Sequence, residues 1–216
     1  MTTPASSTSV PGRRLLLGLL VVLLAAVVPA VFVPTLMCRP DTPVLDDLGA
    51  VGAFELTDER GQPFGEAALR GHVTLVSFIF TRCDTICPIT TMKMAKLQDK
   101  TFDVGAKIKL ASFSVDPGYD TPARLTEFAR RYQADPARWR FITGPVDAVR
   151  ALIEGPFMNS MASEGVTPSG APAISHSGYF LLVDERAHIR GAYDSGDTRK
   201  LDQMIHDARF LARTGH

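Results

Sequence analysis

Val73-Thr74-Leu75-Val76-Ser77-Phe78-Ile79-Phe80 runs directly into Thr81-Arg82-Cys83-Asp84-Thr85-Ile86-Cys87-Pro88 in this chain. The first half is an apolar run of strand-forming residues, which predicts a buried strand. Pro88 suits the first turn of a helix, because its ring fixes φ and no N–H is needed there. The cysteines therefore lie in a strand-to-helix turn, where a helix N-terminus favours thiolate. This placement indicates dithiol–disulfide exchange or the binding of a soft metal, Cu(I) or Zn(II).

The composition excludes two classes of protein. The 216 residues carry 23 Lys and Arg against 23 Asp and Glu, so the formal net charge is zero and no basic surface for nucleic acid is expected. Three cysteines are too few for a disulfide framework. Two of the three are paired in sequence, which favours a specific chemical use for them, whereas Cys38 has no role that its position defines.

The N-terminal segment predicts a membrane anchor. Residues 15–37 carry no charged side chain, and a helix of that length would span roughly 34 Å, about a bilayer core. Arg13 and Arg14 precede it, so the positive-inside rule makes residues 1–14 a cytoplasmic tail. We expect a single-pass protein of the cytoplasmic (inner) membrane, with a linker at 38–48 and a domain at 49–216 on the periplasmic or extracytoplasmic side. A cleaved signal peptide is the alternative interpretation of the same run.

Apolar periodicity and turn residues predict a single α/β domain after the linker. Strands are expected at 53–57, 73–80, 107–115, 139–142, 178–184 and 188–193, and helices at 88–100, 122–133, 146–153 and 197–212. Residues 155–173 are expected to form a long loop. The side chains of the first helix expected to face the protein are Met92, Met94, Ala95 and Leu97. This order predicts a thioredoxin-like fold, a mixed central sheet flanked by helices.

A third ligand for a metal at the two cysteines would be a histidine. The histidines whose settings are typical of solvated or half-buried side chains are His72, His188, His206 and His216. His176 stands where the long loop meets the penultimate strand, a junction that faces the cysteine turn in a thioredoxin-like sheet. We therefore predict a site of Cys83, Cys87 and His176. Such a set is soft enough for Cu(I) and can hold Cu(II), and Zn(II) is also compatible.

Four motifs occur together along residues 50–210. They are Phe78–Pro88 with both cysteines, Ser114–Pro117 followed by Asp120–Pro122, Trp139 with Thr143-Gly144, and His176-Ser177 leading into Tyr179–Asp184. This set resembles the Sco (SenC) family, membrane-anchored copper-binding proteins with a thioredoxin-like fold that assist cytochrome c oxidase assembly.

The resemblance implies copper held by Cys83, Cys87 and His176. It also implies delivery of that copper to the binuclear copper centre of the oxidase, or reduction of the cysteines of that centre. The partner would be the copper-bearing oxidase subunit or another copper carrier. The chain departs from the family pattern at Asp84-Thr85, where Pro-Asp is usual, and in lacking an acidic residue in 172–175. We therefore expect a copper affinity that differs from the family norm.

A membrane-anchored thiol–disulfide oxidoreductase is the alternative function. One of Cys83 and Cys87 would attack a disulfide and the other would resolve the mixed disulfide, while His176 would orient the reactants or handle a proton. A redox sensor at the membrane is a third interpretation. The spacing favours copper, because thioredoxin-like reductases usually have two residues between the cysteines and a proline where Ser175-His176 stands.

Overall fold

The fold is built on a seven-stranded mixed sheet. The computed structural model describes residues 43–83, 87–166, 172–175 and 178–215. The strands of the sheet are β1 (Glu55–Asp58), β2 (Pro63–Gly65), β3 (Val73–Ile79), β4 (Ile108–Ser114), β5 (Trp139–Thr143), β8 (Tyr179–Val183) and β9 (Ile189–Asp194). Two more strands, β6 (Ala162–Val166) and β7 (Pro172–Ser175), pair with each other in a separate small sheet.

Helices connect the strands. The α-helices are α1 (Cys87–Lys100), α2 (Pro122–Arg131), α3 (Val146–Glu154) and α4 (Thr198–Thr214), and 3₁₀ helices cover Glu66–Leu69 and Phe102–Lys107. No helix in the described ranges is both long enough and apolar enough to cross a membrane.

The centre of the sheet is parallel and its edges are antiparallel. The strand order is β2-β1-β5-β4-β3-β8-β9, with β3, β4 and β5 parallel and every other pairing antiparallel. The helical connections from β3 to β4 and from β4 to β5 are what parallel neighbours require. The predicted mixed sheet with flanking helices is confirmed. The carboxyl ends of β3 and β4 therefore lie at the same edge, and the cysteine turn follows β3 there.

Both faces of the sheet are buried, which explains why β3 is apolar at nearly every position. On one face, Val76 and Phe78 join a cluster that α3 and the β1–β2 hairpin cover. On the other face, Leu75 and Ile79 join a cluster with side chains of α1, α2 and α4. All seven residues of β3 are buried. Burial of each such large apolar side chain stabilises the fold by about 1.5–3 kcal/mol.

Two predictions about local structure need correction, and several short elements were not predicted. The long loop expected over 155–173 contains β6, which pairs with β7, a pairing that a Gly- and Pro-rich segment does not reveal by periodicity. Strand β2 and the two 3₁₀ helices were not predicted, since each is too short to show a period. Met92 is half-exposed, whereas Met94 and Leu97 are buried as expected. Met92 is only two residues from Met94 and so lies on another face of α1.

Candidate metal and redox site

Cys83 lies four residues after the end of β3, and Cys87 is the first residue of α1. The N–H of Cys83 donates to the carbonyl oxygen of Phe80 at 3.2 Å, which tightens the turn after the strand. The N–H of Cys87 donates to Sγ of Cys83 at 3.4 Å. The helix N-terminus thus points a backbone donor at the first sulfur, an arrangement that stabilises a thiolate there.

The two cysteines differ in exposure, and the pKa of Cys87 departs from its ordinary value. Cys83 is half-buried, whereas Cys87 has no exposed surface. The pKa of Cys87 is raised well above its ordinary value, first by its hydrogen bond with the Cys83 side chain, then by burial and by the charge of Cys83. A Cys87 thiolate therefore needs a partner that stabilises its negative charge. A soft cation would do so, and so would a second sulfur with which Cys87 forms a covalent bond.

A buried carboxylate holds the start of the cysteine turn. Asp120 has no exposed surface and lies in the loop between β4 and α2. It accepts hydrogen bonds from Oγ1 of Thr81 at 2.5 Å, from the N–H of Thr81 at 3.2 Å and from Oγ of Ser114 at 2.6 Å. Burial raises the pKa of Asp120, and the hydrogen bonds from Ser114 and Thr81 oppose that rise. This network joins the end of β4 to the residue two positions before Cys83.

A second aspartate binds the residue next to Cys83. Nε of Arg82 lies 2.6 Å from a carboxylate oxygen of Asp116, and this hydrogen bond is the main cause of the raised pKa of Arg82. The Arg82 guanidinium also lies 4.3 Å from the centroid of the Tyr119 ring, and that of Arg124 lies 3.8 Å from it. Cation–π contacts of this kind contribute about 0.5–1 kcal/mol where solvent reaches them. The loop after β4 therefore fixes the backbone on the strand side of Cys83.

The predicted helix start after this loop is also present. Thr121 is the N-cap of α2, and its side chain accepts a hydrogen bond from the N–H of Arg124 at 3.4 Å. Pro122 occupies the first helical position. The motif Asp116 to Pro122 thus has two structural uses: its aspartates hold the cysteine turn, and its Thr-Pro pair begins α2. The motif was visible in the sequence, but the contacts of Asp116 and Asp120 with the residues before Cys83 were not predicted.

The structure brings Cys83 and Cys87 together, as the spacing predicted. His176 and residues 84–86 lie outside the described residues, so the third predicted ligand remains a prediction. Among the residues that the structure describes, no group of three or more His, Cys, Asp or Glu side chains is arranged to hold a metal ion. Of the other histidines, His188 pairs with Asp47 at 3.1 Å and His206 with Asp207 at 3.2 Å.

A mixed sheet with a parallel centre and a dithiol at a strand-to-helix turn defines a thioredoxin-like dithiol protein. The family model described as SCO1/SenC matches residues 45–212. This chain belongs to the SCO1/SenC family.

Several known proteins are similar to the chain. The SCO1 protein homolog of Bacillus subtilis is 31% identical over 159 residues, which cover 74% of this chain and 81% of the relative. The structure of BsSco, a member of the Sco family of cytochrome c oxidase assembly proteins in which a disulfide switch was identified, has a TM-score of 0.68 at 29% identity, covering 79% of this chain and 98% of BsSco. Yeast Sco1 with copper bound has a TM-score of 0.61 at 25% identity, covering 73% and 87%.

Proposed function

We propose that this protein binds copper and helps to assemble the copper centre of a cytochrome c oxidase. The observation that carries the proposal is the pair of thiols in the turn between β3 and α1, linked by the hydrogen bond from the Cys87 N–H to Cys83 Sγ. The family membership supports it, since BsSco belongs to a family of cytochrome c oxidase assembly proteins and yeast Sco1 has been crystallised with copper.

The residues of the turn fit a soft monovalent cation. Thiolate sulfur is the side-chain donor that Cu(I) prefers, and the two cysteines lie close together, with the Cys87 N–H 3.4 Å from the Cys83 sulfur. A cation bound there would favour loss of the Cys87 proton, which the hydrogen bond with Cys83 and burial otherwise oppose. His176 is proposed as the third donor, which would make the site trigonal. Copper is the cargo in this account, either as Cu(I) or as Cu(II).

The difference in exposure between the thiols suggests how cargo would leave the protein. Cys83 is accessible from solvent and Cys87 is not. An incoming cysteine of the target would first replace Cys83 as a ligand and would displace Cys87 last. The target would be the copper-bearing subunit of the oxidase or another copper carrier.

Reduction of a target disulfide is a second candidate function, and the same asymmetry favours it. The Cys83 thiolate would attack one sulfur of the target disulfide, giving a mixed disulfide and releasing one target thiolate. Cys87, on losing its proton, would then attack Sγ of Cys83 and release the second target thiolate. The target gains two electrons, and this protein ends with a Cys83–Cys87 disulfide. Such a reaction would keep the cysteines of an oxidase copper centre reduced.

The location belongs to the same proposal. The uncharged run at 15–37 would anchor the protein in the cytoplasmic membrane, with residues 1–14 in the cytoplasm. The linker at 38–48 would place the copper-binding domain, residues 49–216, outside the cytoplasm. A copper-bearing oxidase domain on that side of the membrane would be within reach of the site.

An anaerobic Cu(I) titration of the reduced full-length protein against a competing chelator tests the proposal. The variants are Cys83→Ser, Cys87→Ser and His176→Ala, and His206→Ala serves as the matched control because His206 is exposed and pairs with Asp207. We expect one copper per chain and a loss of affinity in the first three variants but not in the control. Weak binding by the unaltered protein, together with catalytic turnover of a disulfide substrate, would instead favour the reductase.

A further inference from the structure

A cavity of about 320 Å³ lies at the end of the sheet opposite to the cysteine turn. Thr74, at the start of β3, pairs with Lys109, at the start of β4, and both line the cavity together with Arg138, which directly precedes β5. The 3₁₀ helix Glu66–Leu69 and the residues after it supply another wall. Since β3 and β4 are parallel, their first residues lie far from the cysteines that follow the last residue of β3. The cavity is therefore separate from the proposed copper site.

The walls of this cavity are basic. Four Arg and Lys side chains line it against one carboxylate, that of Asp58. Those four are Arg70, Lys109, Arg138 and Arg140. Arg70 is paired with Glu66 at 2.5 Å, and Arg140 with Glu59 at 2.9 Å, so these two charges are already compensated.

The other two cations form no ion pair within 4 Å with a carboxylate of the described residues, although the charges of nearby aspartates act on Arg138. The Arg138 guanidinium is buried, at 6% exposure, and donates to the carbonyl oxygens of Gln98, Thr101 and Ile108 and to Oγ1 of Thr101. Lys109 makes no ion pair with any described residue. The Lys109 charge affects another residue of the cavity wall, His72. The pKa of His72 is lowered to about 4, first by burial and second by the charge of Lys109. A positive charge without an ion pair, such as that of Lys109, attracts anions when it lies in a concave, partly desolvated site.

A buried hydroxyl group in the same wall has no partner. Thr74 is 1% exposed, and its Oγ1 forms no hydrogen bond to any part of the chain that the structure describes. Buried polar atoms nearly always have a hydrogen-bond partner, so an unpartnered hydroxyl in a cavity wall suggests a ligand that accepts a hydrogen bond from it. An oxygen anion is the ligand that best fits this hydroxyl, because cations outnumber carboxylates among the lining residues.

We propose that this cavity binds a small oxyanion, a phosphate or carboxylate group, with Lys109 as its charge partner and Thr74 as a hydroxyl donor. The volume lies at the lower end of the range for small-molecule pockets, about 300–1,000 Å³. A small molecule with one anionic group fits that space, and a macromolecule does not. The site is independent of the copper proposal, and either can fail without the other.

Isothermal titration calorimetry of the full-length reduced protein with inorganic phosphate, at an ionic strength held constant with chloride, tests this site. The variants are Lys109→Met and Thr74→Val, both close in shape to the residues they replace, with Lys96→Met on the exposed face of α1 as the control. We expect saturable binding at one site. Lys109→Met should weaken it about tenfold or more, Thr74→Val about threefold to tenfold, and Lys96→Met not at all.

A second titration with acetate distinguishes the two anion sources. Saturable binding of acetate but not phosphate, still lost in Lys109→Met, supports a carboxylate ligand, and the reverse supports a phosphate. The proposal is overturned if neither anion gives saturable heat, or if Lys109→Met binds as well as the unaltered protein. Lys109 is a half-exposed strand residue, so this variant keeps the test decisive even if Thr74→Val folds poorly.

Discussion

Replacing Asp120 with alanine tests how the loop after β4 holds the cysteine turn. The change removes three hydrogen bonds, two from Thr81 and one from Ser114, all to a carboxylate with no exposed surface. At about 1 kcal/mol net for each bond, and somewhat more for bonds to a charged acceptor, the free energy of unfolding should fall by about 2–4 kcal/mol. The measurement is the urea unfolding curve of the reduced protein, read from its midpoint at constant slope.

The same variant should bind Cu(I) less tightly. Without Asp120 the segment from Thr81 to Cys83 loses its anchor to β4, so copper must order it on binding. Ordering one residue costs roughly 1–2 kcal/mol, which corresponds to about tenfold in affinity. Asp116→Asn is the matched control, because it breaks only the partly exposed pair with Arg82, which contributes at most about 1 kcal/mol. We would reject this role of Asp120 if Asp120→Ala keeps the unfolding midpoint and copper affinity of the unaltered protein. We would also reject it if Asp116→Asn lowers the midpoint and the copper affinity more than Asp120→Ala does.

Three further predictions follow from exposure, titration and capping. Iodoacetamide should modify Cys83 well before Cys87, because Cys87 is buried and its pKa is raised. Peptide mass spectrometry measures the order of modification, and the opposite order would contradict this prediction. The His72 pKa is lowered from 6.5 to about 4, so the folded protein binds fewer protons than the unfolded chain, and stability present above pH 6.5 should be lost as the pH falls towards 4. Because this ring is partly exposed, the unfolding free energy should fall by only on the order of 1–2 kcal/mol, and this fall should be absent in His72→Asn. If the unaltered protein and His72→Asn lose the same unfolding free energy between pH 6.5 and pH 4, the prediction is wrong. Thr121→Ala should cost about 1 kcal/mol of unfolding free energy through loss of the α2 N-cap, measured by urea titration, and an unchanged midpoint would show that the cap contributes nothing.

The parallel centre of the fold was predictable because its physical cause is local. Strand β3 is apolar along nearly its whole length since both faces of the sheet are covered, and such a run is visible in the sequence. The start of α2 was equally visible in Thr121-Pro122, which the structure shows as N-cap and first helical residue. Each of these signals lies within a few consecutive residues.

The elements that were missed or misplaced depend on contacts distant in sequence or on very short segments. Strand β2 has three residues, and β6 pairs with β7 across a Gly- and Pro-rich segment, so neither shows a period. The exposure of Met92 follows from how α1 lies on the sheet, which its weakly amphipathic sequence does not specify.

Part of the candidate site was also predictable from local sequence, and part was not. The spacing of Cys83 and Cys87 was sufficient to predict that the two residues lie close together. The support from Asp120 and Asp116 was not visible, because these carboxylates bind residues 39 and 34 positions away in sequence. The cationic cavity was also invisible, since the register of β3 against β4 brings Thr74 beside Lys109 across 35 residues.

The measurement that most directly tests the central claim is X-ray absorption spectroscopy of the full-length protein loaded with one Cu(I). We expect a copper shell of two sulfur donors and one nitrogen donor in the unaltered protein and in His206→Ala. In His176→Ala the nitrogen contribution should disappear while the two sulfurs remain. A shell without nitrogen in the unaltered protein, or one that His176→Ala leaves unchanged, would contradict a site made by Cys83, Cys87 and His176.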